Sequence, residues 1–222
     1  MEKSKYDAMK IDFFVNSVFN SITWILPITN KDCWLVDCGD IDRVINEGWN
    51  VKGVLLTHVH YDHIYGLNLL LEHFPNVCVI TNEEGYQALT NPRWNFSRYH
   101  IDVEDFVFKY MENVNVVDSE GVFLLNDTFV RISNTTSDNE LENTNSVNLN
   151  GMRVSVYFTP GHEPSCLCYR IKDMVFTGDS YIPGVKVVTT FPRSNKSKAA
   201  ESLLRIKSWE NEGVKIMPGH KV

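Results

Sequence analysis

Apolar positions along this chain fall into short blocks, and most blocks are too brief for helices. Blocks such as Trp34-Leu35-Val36, Val54-Leu55-Leu56 and Val154-Ser155-Val156-Tyr157-Phe158 are bounded by Gly, Asp, Asn or Pro, the punctuation of strands. In the first half they predict strands near residues 13–26 (a paired strand and turn), 33–37, 51–57 and 77–81. Helices are expected near 41–47, 64–74 and 83–89. In the second half, strands are expected near 122–125, 128–132, 153–159, 166–171 and 174–177. A helix near 196–210 and a last strand near 214–217 follow. Residues 101–117 read as a helix with an acidic face of Asp102, Glu104 and Asp105, and 93–110 as a candidate lid. The polar run 134–150 reads as a surface insertion, since it has too little apolar content to pack. Two β-rich halves that each carry helices give an α/β or α+β fold. No linker divides the chain, so 1–222 is expected to be one domain.

The densest chemistry lies directly after the apolar run 54–56. Thr57-His58-Val59-His60-Tyr61-Asp62-His63 places three imidazoles and a carboxylate within six positions. In extended backbone His58 and His60 project to the same side, while Asp62 and His63 fall where the chain turns towards a helix. Burying such a group without a cation would be costly, so the cluster predicts metal binding. Three later strands end alike, in a tight turn and one ligand-type residue: Thr159-Pro160-Gly161-His162, Thr177-Gly178-Asp179 and Pro218-Gly219-His220. Seven candidate ligands result: His58, His60, Asp62, His63, His162, Asp179 and His220.

The order H-x-H-x-D-H, then His, then Asp, then His resembles the metallo-β-lactamase superfamily, and the resemblance spans nearly the whole chain. It includes Trp34-Leu35-Val36-Asp37-Cys38-Gly39, similar to the strand and D-x-G turn before that family's first helix. The resemblance implies a four-layer αββα sandwich. It implies that His58, His60 and His162 hold one ion, that Asp62, His63 and His220 hold a second, and that Asp179 bridges them. It further implies a hydrolase in which a hydroxide shared by two divalent ions attacks the substrate, with Asp62 orienting it and relaying a proton. Asp37 and Cys38 are expected just outside the ligands. Zinc is the first expectation for the metal, with iron and manganese also suited to nitrogen and carboxylate ligands.

A bridging Asp179 beside His63 resembles glyoxalase II, lactonases, nucleases and phosphodiesterases more than true β-lactamases. The first expectation is a small ester, thioester or lactone substrate, resembling the catalytic core of glyoxalase II without its helical substrate domain. A phosphodiesterase, or an iron-dependent redox protein or persulfide dioxygenase on the same scaffold, stays open. The chain departs from glyoxalase-like relatives after Ser180, reading Tyr181-Ile182-Pro183-Gly184-Val185-Lys186. Tyr181, Lys186 and Arg193 are therefore candidates for contacting substrate. Glu163 stands where relatives often carry Thr or Ser, which would add negative charge beside the metals.

Composition narrows the partners. A net charge of −7 disfavours a nucleic-acid surface, so a small molecule is the expected partner. The apolar stretch 13–28 is broken by Asn16, Ser17, Asn20, Ser21 and Thr23, which argues against a membrane anchor or signal. Five cysteines without framework spacing suit a reducing compartment, and a cytoplasmic location is expected. Cys166 and Cys168 read as small buried strand residues. His73 and His100 are left out of the site.

Overall fold

A computed structural model describes residues 11–134, 136 and 151–221. Its strands form two six-stranded sheets. The first runs in chain order through β1 (Asp12–Val15), β2 (Ile22–Pro27), β3 (Asp32–Val36), β4 (Asn50–Leu55), β5 (Cys78–Asn82) and β6 (Val114–Val117). β1 to β3 are antiparallel neighbours and β3 to β6 are parallel. Parallel neighbours need crossovers, and short helices supply them. They are α1 (Asp42–Asn46), α2 (Tyr61–Ile64) with α3 (Leu67–His73), and α4 (Glu83–Leu89). The second sheet contains β7 (Gly121–Leu125), β8 (Phe129–Ser133), β9 (Met152–Phe158), β10 (Leu167–Ile171), β11 (Met174–Gly178) and β12 (Lys215–Pro218), in the order β12-β11-β10-β9-β7-β8. All its pairs are antiparallel except β11 with β12, which α5 (Lys196–Asn211) connects.

The period-two pattern decides which side chain enters which layer. Ile22, Trp24, Leu26, Trp34, Val36, Leu55 and Ile80 face the second sheet and meet Phe123, Val154, Val156, Tyr169 and Phe176 between the sheets. Their neighbours in sequence, among them Ile25, Leu35, Val54 and Val79, point the other way and pack under Leu67, Leu70, Leu71 and Leu89 of the helices. On the far side Tyr157, Cys168 and Val175 meet Ile206 and Trp209 of α5. The result is helix, sheet, sheet, helix: the expected αββα sandwich. Trp34 anchors its centre, fully buried with its indole N–H donated to Asn126 O at 2.8 Å.

Two expectations are corrected. Residues 101–117 form no helix; Phe106 and Phe108 are buried while Val107 between them is exposed, so alternation prevails over helical spacing. That segment ends in a short 3-10 turn, Met111–Asn113, and then in the unexpected β6, which pairs with β5. The predicted helix at 64–74 is two helices, α2 and α3, with Gly66 capping the second. The polar run 134–150 lies outside the described residues apart from Asn134 and Thr136. Cys166 and Cys168 are buried as expected, and burial pushes the Cys168 thiol up to about 12.

Candidate metal centre

All seven candidate ligands converge where strands of both sheets end. His58 and His60 lie on extended backbone after β4, and His60 caps α2, which carries Asp62 and His63. His162 lies between β9 and β10, Asp179 follows β11 and His220 follows β12. Bonds between segments lock this junction. Leu167 N–H donates to Thr57 O at 2.7 Å, Ile22 N–H to Gly219 O at 2.7 Å, and the Trp24 indole to Pro218 O at 3.1 Å. Two glycines permit the close approach. Gly178 has φ +50°, and a β-carbon there would stand 2.3 Å from Thr57 Oγ1. A β-carbon on Gly219 would stand 2.6 Å from Asp179 Oδ1 and 2.9 Å from His63 Cε1.

The ligand atoms sort into three overlapping triads: His58, His60 and His162; Asp62, His63 and His220; and His58, His63 and Asp179. Within each triad the atoms lie within 4.8 Å of one another. In the first, His60 Nδ1 stands 3.0 Å from His162 Nε2. In the second, His63 Nε2 and His220 Nε2 are 3.1 Å apart, with Asp62 Oδ2 at 3.4 and 3.3 Å. Asp179 reaches both groups. Its Oδ2 is 3.5 Å from His162 Nε2, while its Oδ1 is 3.5 Å from His63 Nε2 and 3.3 Å from His220 Nε2.

Outer partners set the protonation of the rings. His162 and His220 donate Nδ1–H to the carbonyls of Val188 (2.9 Å) and Phe19 (3.0 Å), and His63 donates Nδ1–H to Asp37 Oδ2 (2.9 Å). Carbonyls and carboxylates only accept, so Nδ1 keeps its proton in each ring and Nε2 is the nitrogen that faces the centre. Thr57 donates its hydroxyl to Asp37 Oδ2 at 2.7 Å, and His58 Nδ1 lies 3.3 Å from that hydroxyl oxygen. Asp37 thus fixes His63 directly and His58 through Thr57. The buried Nε2 atom of His58 and Oδ1 of Asp179 have no hydrogen-bond partner. Burying such atoms unpaired is costly, and a cation is the natural partner for this donor set.

The electrostatics point the same way. Burial first, then the neighbouring imidazoles, push His58 well below its ordinary pKa and His60 down to about 3, which leaves both rings neutral and able to donate lone pairs. Burial would also lower His63 and His220, but carboxylates overrule it. Asp62 and Asp37 hold His63 well above its ordinary value, and Asp179 and Asp62 raise His220 to about 9. Burial would raise Asp62 and Asp179, yet their histidine neighbours keep both below the usual carboxylate range. The carboxylates therefore draw positive charge into a buried place.

Residues 19–220 match the family described as the Metallo-beta-lactamase superfamily. The chain belongs to the metallo-beta-lactamase superfamily. This superfamily binds divalent metals with His/Asp clusters of the kind assembled here. A hydroxyacylglutathione hydrolase of Hydrogenovibrio crunogenus is 24% identical over 212 residues; the match covers 91% of this chain and 59% of that protein. The chain thus spans about three fifths of the relative's length. The crystal structure of BLEG-1, a B3 metallo-beta-lactamase, shares the fold with a TM-score of 0.69 at 17% identity, covering 96% of this chain and 92% of that one. TTHA1623 in a di-iron-bound form gives 0.68 at 17%, covering 95% and 92%.

Outside the ligands, the superfamily scaffold treats the expected residues differently. Asp37 holds His63 as described, and Cys38 acts through its backbone, its N–H donating to His63 O at 2.8 Å. Tyr181 turns away from the centre: its ring packs against α5 and its hydroxyl donates to Glu210. Arg193 is committed to an ion pair at 2.8 Å with Glu163, which is 1% exposed, and to Glu84 at 2.5 Å, with its guanidinium 4.5 Å above the Trp94 ring. Glu163 accordingly braces the loops through Arg193, and burial raises its pKa. Lys186 lies exposed on the loop after β11. Two aromatic residues also stand at the centre, one inside the stretch read as a candidate lid and one that the sequence reading did not single out. Phe96 is 4.7 Å from the His60 ring, and Phe191 is 5.3 Å from His60 and 5.5 Å from His162. The stretch 93–110 gave a signal for Phe96 as a lid candidate; Phe191 had none.

Proposed function

We propose that the chain is a binuclear metal-dependent hydrolase acting on a small ester, thioester or lactone. The observation that carries this reading is the pose of Asp179, one oxygen turned to the first histidine triad and the other to the second. That carboxylate suits two neighbouring cations. His58, His60 and His162 would hold one and Asp62, His63 and His220 the other, with zinc the first expectation and iron or manganese suited to the same ligands. When bound, such a pair supplies an activated water and a Lewis acid for the scissile carbonyl.

The chain's own groups do the rest. Asp62 stands in the second triad, and its backbone carbonyl is held at 2.6 Å by the Ser21 hydroxyl. Fixed in that way, the carboxylate can orient the attacking water and take up its proton. Thr57 and Asp37 hold His58 and His63 in the tautomers that keep Nε2 free. Phe96 and Phe191 limit water on the His60 side. Homology to a hydroxyacylglutathione hydrolase supports thioesters among the substrates. No helix among the described residues is long and apolar enough to cross a membrane; the cysteines without framework spacing support a cytoplasmic location.

The test is turnover of thioester, lactone and phosphodiester reporters by metal-loaded protein. Hydrolysis of a thioester or lactone, abolished by Asp62→Ala, is the expected result. Turnover of the phosphodiester alone moves the assignment to that branch, and no turnover with any reporter contradicts the hydrolase reading.

A further inference from the structure

Phe96 occupies a conformation that its side chain disfavours. Its φ of +66° lies in the left-handed region, uncommon for a bulky residue and most often found where function fixes it. The two flanking residues enforce it. Asn95 and Ser97 are completely buried, and both are hydrogen-bonded. The Asn95 amide donates to Ala88 O at 3.3 Å and Phe106 O at 3.0 Å, and its Oδ1 accepts from Ser97 N–H at 3.0 Å. The Asn95 carbonyl accepts from the N–H of Tyr61, the residue between His60 and Asp62, at 2.7 Å. Phe106 N–H donates to Ser97 Oγ at 2.8 Å. The turn is therefore tied to the ligand segment itself, and it places the Phe96 ring beside His60.

Phe191 meets that ring at 4.8 Å from a second pinned segment. Ser194 donates its hydroxyl to His162 O at 2.6 Å and its N–H to Phe191 O at 3.0 Å, and Arg193 ties the loop to Glu163 and Glu84. Both rings are only half-buried, and neither belongs to any of the three cores. The basic side chains two residues from each ring are already paired, Arg98 with Asp105 and Arg193 with its two glutamates. Large apolar surface is held rigidly beside candidate ligands, with those cations engaged elsewhere.

We propose that Phe96 and Phe191 form the wall that receives the apolar side of the substrate, making the enzyme selective for acyl groups bearing an aromatic or branched aliphatic substituent. The selectivity rests on the hydrolase reading above; the wall itself does not. An apolar group leaves water when it packs on two rings, whereas an acetyl methyl offers far less surface to bury there.

The test compares kcat/KM for phenylacetyl and acetyl thioesters of one thiol, using the metal-loaded full chain and the variants Phe96→Ala, Phe191→Ala and Phe96→Leu. The wild type should favour phenylacetyl by roughly 10- to 200-fold. Either alanine variant should cut that ratio by about tenfold or more, and Phe96→Leu, which keeps apolar bulk, should restore part of it. If the rings only brace His60 and His162, both thioesters slow together and the ratio holds; that outcome, or a wild-type ratio near one, overturns the proposal. If neither thioester is hydrolysed, the hydrolase reading is judged separately, by the lactone and phosphodiester reporters. The wall is then judged by titrating phenylacetate and acetate into the metal-loaded protein: tighter binding of phenylacetate that Phe96→Leu keeps and Phe96→Ala loses supports it, and equal binding refutes it.

Discussion

Replacing Asp37 with Asn isolates one atom's worth of chemistry. Asp37 sits at φ +60°, a conformation Asn tolerates about as well as Asp, so the backbone has no reason to move. The carboxylate accepts three bonds: Thr57 N–H on Oδ1 at 2.7 Å, and the Thr57 hydroxyl at 2.7 Å and His63 Nδ1–H at 2.9 Å on Oδ2. An amide has one acceptor oxygen, so whichever way it faces, its NH2 meets at least one buried donor. Leaving a buried donor unpaired costs about 1–3 kcal/mol, and the charge assistance on the remaining bonds is lost as well. If the NH2 faces His63, the ring can satisfy it only by moving its proton to Nε2, which closes the lone pair aimed at the metal. Loss of this outer-shell partner should weaken metal affinity by roughly 10- to 100-fold. Affinity is measured by competition with a chelator of known strength, and the fold is checked by circular dichroism. A folded Asp37→Asn protein that binds both ions within about threefold of wild type would falsify the claim that Asp37 sets the tautomers.

Gly219→Ala places a β-carbon against Asp179 Oδ1 and His63, so the second ion should be lost first, read as metal content falling towards one per chain with the fold retained. Arg193→Met strands buried Glu163 and should cost about 3 kcal/mol, at the low end for a broken buried pair because Arg193 is partly exposed. That lowers the thermal midpoint by roughly 6–12 °C, and adding Glu163→Gln should recover part of it; an unchanged midpoint would show that the pair does not brace the loops. The raised pKa of His220 predicts a pH dependence for the metal-free protein. Its folded value of about 9 lies above its ordinary 6.5, so its contribution to stability is whole below pH 6.5 and lost as pH rises through 9. Melting temperature should fall across that window, and His220→Gln should flatten the fall; a wild-type profile without it contradicts the assignment.

The layers and the ligands were legible because both leave local marks. Period-two alternation in Ile22-Thr23-Trp24-Ile25-Leu26 and Trp34-Leu35-Val36 assigns side chains to opposite faces whatever the distant contacts, and the ligands cluster in one turn or follow strand ends marked by glycine. What could not be read was set by contacts distant in sequence. Residues 101–117 looked helical by charge, but Phe106 and Phe108 find their burial in the first core, and β6 exists because β5 offers it an edge. Arg193 looked available for a substrate until Glu163 and Glu84, 30 and 109 residues away, were seen to hold it. Tyr181 directly follows the Asp179-Ser180 turn, yet its ring joins the α5 side of the second sheet. Phe96 carried no motif because its placement depends on a left-handed turn built by two buried polar neighbours.

The most direct test of the binuclear centre is metal content per chain by elemental mass spectrometry, on wild-type protein and Asp179→Ala purified alike. About two ions in the wild type, falling to one or fewer in the variant together with loss of hydrolysis, is the predicted result. A wild type that holds a single ion, or a variant that keeps both ions and full turnover, contradicts the bridging role assigned to Asp179.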